Sequence, residues 1–299
     1  MLLECKIKNL VIVTWNKYAK SDTLGNELRF EVFILNNSPI GIFDSGVGGL
    51  TVVRDLINKL PEESFIYYGD TAHVPYGNKT REQLFYYTRE IMSYFIKRKV
   101  KAIIVACNTS SSVTLPTLEK EYDLPMLGVV KPGARAAVAT TRNGRIGILA
   151  TLATVNSQAY QYEIEALLPG AEVSQCACSR FVPLIEAGVL EGEKIHSAAR
   201  DYVSPMLDKG IDTLVLGCTH YPFIAPIIKT ITGTGVKLVD PAEETVNEMT
   251  TIMMQNNMMA ASRDPTREFV VSGSAESFYE VGRMMLGDVF EKGAIPGSI

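Results

Sequence analysis

Two segments of this chain share a pattern that restricts its fold: a run of aliphatic residues that ends in a cysteine and a short polar loop. The segments are KAIIVACNTS, which contains Cys107, and DTLVLGCTHY, which contains Cys218. An uninterrupted run of Ile, Val and Leu is typical of a parallel strand that is buried on both faces of its sheet. Open α/β folds bind ligands at the carboxyl ends of such strands. The two thiols are therefore predicted to face a ligand, one on each side of it.

The pattern extends upstream of each cysteine, so that the chain divides into two similar units. PIGIFDSGVGG (39–49) and RIGILATLAT (145–154) are both apolar runs that end in small and hydroxyl residues, and each precedes its cysteine by a similar distance. α/β proteins use such strands widely, but the shared order, spacing and cysteine favour two related lobes.

Apolar runs alternate with helical patterns along the chain, which predicts parallel sheets with helices outside. Strands are predicted at Ile40–Phe43, Phe65–Tyr68, Ile103–Val105, Leu127–Val130, Ile146–Leu149, Val173–Cys176, Leu214–Leu216, Lys237–Val239 and Glu268–Ser272. Helices are predicted at residues 49–59, 81–98, after Ser111, up to Leu168, at 181–190, 193–209 and 241–255, and from Ala275. The predicted fold class is α/β, with two similar lobes of mainly parallel sheets flanked by helices and the active site in the cleft between them.

Composition argues against several classes of protein. The net charge of −4 predicts no basic surface, so nucleic acid is not an expected partner. No apolar stretch reaches the ~18 residues that a membrane helix needs. The five cysteines form an odd set without a pairing pattern, which favours reduced thiols and a cytoplasmic location. Residues 1–38 fit the alternating pattern poorly and make a poor signal peptide, so we expect an extension of unknown role outside the core.

Several loops carry polar groups whose meaning the residues alone leave open. Asp44-Ser45-Gly46-Val47-Gly48-Gly49 lacks the third glycine of a dinucleotide fingerprint and the Gly-Lys-Ser/Thr of a P-loop. It is either a tight turn capped by Asp44 or a loop that brings a carboxylate and a hydroxyl to a ligand. In the loop 69–79, His73 is expected to be solvated. Cys176 and Cys178 lack a second pair of ligands at metal-binding spacing, so no metal site is predicted.

A cysteine thiol is a good nucleophile only as the thiolate, which forms a small fraction at neutral pH. Cys107 and Cys218 therefore need partners that orient them or stabilise their charge. Asp44, His220 and Glu186 are the available polar residues. An inert buried thiol would be the ordinary interpretation of either cysteine alone, but two thiols in matching contexts favour catalysis.

Several long motifs of this chain resemble the glutamate racemases, the cofactor-independent enzymes that make D-glutamate for peptidoglycan. The motifs are PIGIFDSGVGGLTV, YYGDTAHVPYGNKT, IVACNTSS, GVVKPGARAA and LVLGCTHYP, and the match runs in order from Pro39 to the C-terminal helix. The resemblance implies a first lobe of residues 39–130 plus 240–299 and a second lobe of 131–239. It also implies a homodimer and no cofactor.

The resemblance also implies roles for individual residues. Cys107 and Cys218 are the expected catalytic acid/bases, with Asp44 assisting Cys107, and with Glu186 and His220 assisting Cys218. The residues expected to hold the substrate are Asp44, Ser45, Tyr76, Gly77, Asn108, Thr109, Thr151, Thr219 and His220. Thr151 departs most from the family pattern, because Ala-Thr-Leu-Ala-Thr stands where glycines usually precede each threonine.

Racemisation without a cofactor agrees with the residues. Two groups of intermediate pKa on opposite faces of an α-carbon can each remove or return a proton. Three rivals stay open. Aspartate racemases share the fold and the thiols, but the glutamate type has His220 before Tyr-Pro where the aspartate type usually carries Glu. A non-catalytic amino-acid-binding protein would need neither thiol, and a cysteine hydrolase would leave the second thiol unexplained. Lys131 is the most plausible pyridoxal lysine by position, without further support.

Overall fold

The computed structural model describes residues 37–260, 264–287 and 296–298. The predicted extension, apart from its last two residues, lies outside this part of the chain. The strands are β1 Ile40–Asp44, β2 Phe65–Gly69, β3 Ala102–Val105, β4 Met126–Gly128, β5 Arg145–Ala150, β6 Glu172–Ala177, β7 Thr213–Gly217, β8 Lys237–Val239, β9 Arg267–Val271 and β10 Pro296–Ser298.

Helices follow most of these strands. They are α1 Leu50–Lys59, α2 Arg81–Lys97, α3 Asn108–Val113, α4 Leu115–Leu118, α5 Val130–Thr140, α6 Leu152–Ser157, α7 Ala159–Leu167, α8 Phe181–Glu186, α9 Glu193–Leu207, α10 Ala225–Thr232, α11 Pro241–Gln255 and α12 Ala275–Leu286. Short 3-10 helices lie at Tyr76–Asn78 and Tyr221–Ile224. In the described residues no helix is both long and apolar enough to cross a membrane.

The strands form two sheets in which every pairing is parallel, as predicted. One sheet has the order β10-β9-β2-β1-β3-β4, and the other has the order β6-β5-β7-β8. We call the first sheet with its helices the first lobe, and the second sheet with its helices the second lobe. Strands β9 and β10, near the end of the chain, add to the first sheet through the pairing of β9 with β2.

Strand register determines which loops meet at the carboxyl edge of each sheet. In the first lobe Phe43 pairs with Val105, so the loops that start at Asp44 and at Ala106 are neighbours. In the second lobe Ala150 pairs with Gly217, which places Thr151 next to Cys218. The edge of each sheet thus carries one thiol beside the loop of an adjacent strand.

The aliphatic runs around the cysteines are buried on both faces, as their sequence predicted. Every residue of β1, β3 and β7 is buried. In α2 the buried residues are Leu84, Thr88, Ile91, Met92 and Phe95, the face expected from the helical spacing. Hydrophobic contacts of this kind stabilise each lobe around its own sheet.

Several predicted boundaries differ from the observed ones; the helices expected at 181–190 and 193–209 end at Glu186 and Leu207, and three further differences have clear local reasons. The helix expected after Ser111 begins at Asn108, because the Cys107 carbonyl already accepts the Ser111 N–H at 2.8 Å. The helix expected to run to Leu168 is broken at Gln158, whose φ of 56° is left-handed. The strand expected to reach Val130 ends at Gly128, since helix α5 already begins at Val130.

Candidate active site between the two lobes

A cavity lies where the carboxyl edges of the two sheets face each other. Its lining residues are Ser45, Pro75, Tyr76, Gly77, Cys107, Asn108, Thr109, Thr151, Val182, Cys218, Thr219 and His220. The centre of a water molecule can occupy about 20 Å³ of this cavity, which is room for about one water molecule. All the predicted site residues except Asp44 and Glu186 line this cavity, and those two lie directly behind it.

Cys107 stands between the end of β3 and the start of α3, and it is almost fully buried. Its Sγ lies 3.7 Å from Ser45 Oγ. Burial, followed by the negative charge of Asp44, raises the pKa of the Cys107 thiol to about 12, although the Ser110 N–H and Ser45 hydroxyl act in the opposite direction. Burial and Asp44 both favour the neutral thiol of this cysteine over the thiolate.

Asp44 connects the two lobes from behind the cavity. One carboxylate oxygen accepts the Gly46 N–H at 2.9 Å, and the other accepts the Thr219 hydroxyl at 3.1 Å. Complete burial raises the pKa of Asp44, while the positive charge of His220 and these hydrogen bonds oppose the increase. The carboxylate thus acts on Cys107 through its charge and holds the loop that carries Cys218 through Thr219.

Cys218 has a different set of partners. Its Sγ lies 3.7 Å from His220 Nδ1, and His220 Nε2 lies 2.5 Å from Glu186 Oε1 at the end of α8. Burial alone would lower the pKa of His220, but the Cys218 sulfur and the Glu186 carboxylate outweigh it and raise that pKa well above its ordinary value. The thiol, imidazole and carboxylate form a chain along which His220 can take the proton of Cys218.

Hydroxyl and amide groups line the rest of the cavity. Thr109 Oγ1 of the first lobe lies 2.9 Å from Thr151 Oγ1 of the second, and Thr154 Oγ1 lies 3.0 Å from Thr151. The Tyr76 hydroxyl donates to buried Asp70 at 2.5 Å. These groups are uncharged donors, and such donors can hold a carboxylate without an arginine.

Three glycines of the first lobe touch residues of the second lobe so closely that a side chain would not fit. A Cβ on Gly77 would lie 2.6 Å from Thr151 Cβ, and one on Gly48 would overlap Thr219 Oγ1. A Cβ on Gly46 would lie 2.8 Å from Glu186 Oε1. The short distance between the lobes therefore depends on glycine at these positions.

The structure adds site neighbours that sequence reasoning missed. Pro75 and Val182 line the cavity, Asp70 holds Tyr76, and the Tyr160 hydroxyl donates to Asn108 Oδ1 at 2.7 Å. Asp70 belongs to the YYGDT motif, so the sequence could have indicated it as a site neighbour. Val182 and Tyr160 follow ordinary helical patterns, so no signal in the sequence distinguishes them.

Other singled-out residues lie away from the cavity. His73, expected to be solvated, is only partly exposed, because it stacks on Tyr87 and lies 2.9 Å from Asp70 Oδ1. Lys131 is exposed on α5. Cys178 is buried and donates to the Cys176 carbonyl at 3.4 Å. In the part of the chain that the structure describes, no cluster of three or more His, Cys, Asp or Glu residues could hold a metal ion.

A sequence profile of the Asp/Glu/hydantoin racemase family matches residues 50–249, about two thirds of the chain. The chain belongs to this family. A racemase removes a proton from one face of a carbon atom and returns one to the opposite face. The cavity of this chain contains one thiol from each lobe.

Curated members of the racemase family match nearly the whole of the chain outside its N-terminal segment. Glutamate racemase 2 of Caldanaerobacter subterraneus subsp. tengcongensis is 43% identical over 254 residues, which span 85% of this chain and 95% of that protein. The glutamate racemase of Geobacter metallireducens is 45% identical over 249 residues, which span 83% and 92% of the two chains.

Solved structures of racemases share the fold. Glutamate racemase isoform RacE1 from Bacillus anthracis superimposes with a TM-score of 0.84 at 34% identity, covering 88% of this chain and 98% of that one. The glutamate racemase of Francisella tularensis, solved in complex with D-glutamate, gives a TM-score of 0.81 at 35% identity, with coverage of 88% and 97%. The two-lobed architecture is thus that of glutamate racemases.

Proposed function

We propose that this chain is a glutamate racemase, which interconverts L- and D-glutamate by acid/base catalysis with two thiols and without a cofactor. One observation carries the proposal: Cys107 from the first lobe and Cys218 from the second lobe line the same cavity. A binding protein would need neither thiol, and a single-nucleophile hydrolase would need only one. The product D-glutamate would supply peptidoglycan synthesis in the cytoplasm, where thiols stay reduced.

Each turnover moves one proton from the α-carbon to one thiol and another proton from the second thiol to the opposite face. For one enantiomer Cys107 as thiolate abstracts while Cys218 as thiol donates, and for the other enantiomer the roles reverse. The raised pKa of the Cys107 thiol favours its protonated form, which can donate a proton. Cys218 can pass its proton to His220 and become the base. A proton transfer of this kind contributes ~10² to 10⁴ in rate.

The remaining rate enhancement comes from groups that stabilise the carboxylate as negative charge moves onto it. Ser45, Asn108, Thr109, Thr151 and Thr219 present hydroxyl and amide groups to the cavity. Because the cavity is buried between the lobes, these hydrogen bonds act in a medium of lower dielectric constant than water. Residues of both lobes line the cavity, so the substrate must bind between them.

Glutamate is favoured over aspartate by two observations. Relatives that are more than 40% identical over most of the chain are named glutamate racemases. His220, not Glu, follows Thr219, and its Nδ1 lies within reach of the Cys218 sulfur. The resemblance also supports a homodimer, which light scattering of the purified protein tests.

The first experiment incubates the purified protein with L-glutamate in D₂O without any added cofactor. Loss of optical activity together with loss of the α-proton signal is the expected result, and a parallel incubation with L-aspartate should remain unchanged. Activity should persist after exhaustive chelation and after treatment with a carbonyl reagent that traps pyridoxal phosphate. Tight binding of glutamate without exchange would instead identify a binding protein.

A further inference from the structure

A buried tyrosine of the second lobe reaches across the cleft to the residue that follows Cys107. Tyr160, on α7, is fully buried in the hydrophobic core of the second lobe. Its hydroxyl donates to Asn108 Oδ1 at 2.7 Å, and Asn108 begins α3 of the first lobe. Asn108 also lines the cavity. The amide that faces the substrate therefore has a partner on the opposite lobe.

The chemistry of this contact selects one of the two orientations of the amide. An asparagine amide has an acceptor end and a donor end, and a half-turn exchanges them. Burial raises the pKa of the Tyr160 phenol far above its ordinary value, so the hydroxyl keeps its proton. A flipped amide would place its NH₂ group, instead of its oxygen, against that proton. A buried donor without an acceptor is costly, which favours the orientation with Oδ1 toward Tyr160.

We propose that Tyr160 is a positioning residue that fixes the Asn108 amide with its NH₂ group toward the substrate carboxylate. In the opposite orientation the amide oxygen would face the carboxylate and repel it. Since the two residues belong to different lobes, the donor is set only when the lobes are closed. The proposal rests on the proposed function, because it assigns a task within the same cavity.

The position of Asn108 in the chain indicates which step its amide serves. Asn108 follows Cys107 directly and lines the same cavity. Its side chain is therefore expected to lie near the substrate α-carbon, with which Cys107 exchanges a proton. The carboxylate on this carbon gains negative charge as the proton leaves. A hydrogen bond that strengthens at that moment raises kcat more than it lowers KM. Removal of the Tyr160 hydroxyl should therefore act mainly on kcat.

The test compares Tyr160→Phe with Tyr162→Phe, a matched control on the same helix whose side chain is 65% exposed. Racemisation of L-glutamate is followed by circular dichroism. For Tyr160→Phe we expect kcat to fall about 5- to 50-fold with KM changed less than about threefold, since part of the amide population turns its oxygen to the substrate. Tyr162→Phe should equal the wild type. An unchanged kcat in Tyr160→Phe would overturn the proposal.

A double-mutant cycle distinguishes positioning from a general structural effect. Asn108→Ala removes the amide and should lower kcat about 10- to 100-fold. If Tyr160 acts through Asn108, then Tyr160→Phe added to Asn108→Ala should cost less than about twofold more. Independent, multiplying losses would contradict the proposal. Asn108→Asp retains an acceptor for Tyr160 but has no NH₂ group, so it should be at least as inactive as Asn108→Ala.

Two further measurements separate failure of this proposal from other failures. If the wild type racemises glutamate while Tyr160→Phe is unaffected, only the role of Tyr160 is wrong. If the wild type does not racemise glutamate, the proposed function fails, and the task assigned to Tyr160 within it fails as well. Thermal unfolding tests integrity, and Tyr160→Phe should lower Tm by only about 2–4 °C. Should it fail to fold, activity in Asn108→Asp equal to that of the wild type would overturn the role of the amide.

Discussion

The two thiols occupy equivalent places in the two lobes, yet their surroundings differ. Each follows a fully buried strand at the carboxyl edge of a parallel sheet. Cys107 has the weak contact of the Ser45 hydroxyl and the nearby negative charge of Asp44. Cys218 has an imidazole that is itself held by the Glu186 carboxylate.

This difference shows that a repeated scaffold does not require repeated chemistry. The substrate is chiral, so its carboxylate, amino group and side chain cannot be arranged identically toward both lobes. Burial and Asp44 favour the neutral thiol of Cys107, while Cys218 lies 3.7 Å from an imidazole nitrogen. Because the equilibrium constant between enantiomers is one, kcat/KM must be equal in both directions. The difference between the thiols is therefore visible in exchange of the α-proton with solvent rather than in racemisation.

The largest expected effects come from removing either thiol. Cys107→Ser and Cys218→Ser should each lower racemisation by about 10² to 10⁴, because a serine hydroxyl is a much weaker acid than a thiol. Each variant should lose α-proton exchange from one enantiomer and retain part of it from the other, in opposite senses. Proton NMR in D₂O measures both. Equal loss of exchange from both enantiomers in either variant would break the assignment of one thiol to each face.

Removal of the His220 imidazole should lower α-proton exchange on the Cys218 side, as Cys218→Ser does. His220→Asn should lower exchange on the Cys218 side by about 10², the low end for a general base, and leave the Cys107 side within a few fold. Glu186→Gln should have a smaller effect, since its amide oxygen still accepts a hydrogen bond from His220. The same NMR assay applies, and an equal decrease on both sides would show that His220 serves the whole cavity.

The pH dependence of α-proton exchange tests how easily Cys107 ionises, in a variant that retains this thiol. In Cys218→Ser the remaining exchange depends on Cys107, whose raised pKa of about 12 makes thiolate scarce. Since thiolate increases tenfold per pH unit below the pKa, kcat/KM for this exchange should rise about 10²-fold from pH 7 to pH 9. A plateau below pH 9 would mean that Cys107 ionises more easily than its burial and Asp44 indicate.

The smallest effects are expected from substitutions of the glycines at which the two lobes approach each other closely. Gly77→Ala places a methyl group against Thr151 and should lower kcat/KM about 10- to 100-fold on both sides, since it opposes closure. Gly48→Ala meets Thr219 and His220, and it should lower exchange mainly on the Cys218 side. Gly235→Ala is the matched control, because nothing lies within 4 Å of its added methyl group. A loss in the control as large as that in Gly77→Ala would remove the closure argument.

Much of the fold could be predicted because each signal was local. The aliphatic runs of β1, β3 and β7 indicated strands buried on both faces, and the helical spacing in α2 identified its buried face. The errors were also local, at Asn108 and Gln158, where one loop bond and one left-handed residue moved the ends of helices. The periodicity of side chains does not record such backbone details.

For the site too, some features could be predicted from the sequence, and others are visible only in the structure. Chemical identity and chain order were enough to single out Cys107 and Cys218, because thiols after matching buried strands are unusual in themselves. The sequence by itself thus determined the residue types and the elements that carry them. Only the tertiary structure decided that Tyr160 meets Asn108, that Thr219 binds Asp44, and that Gly77 lies against Thr151. Each of these contacts joins two lobes far apart in the chain, and the distance between two packed surfaces is not encoded in the pattern of either one.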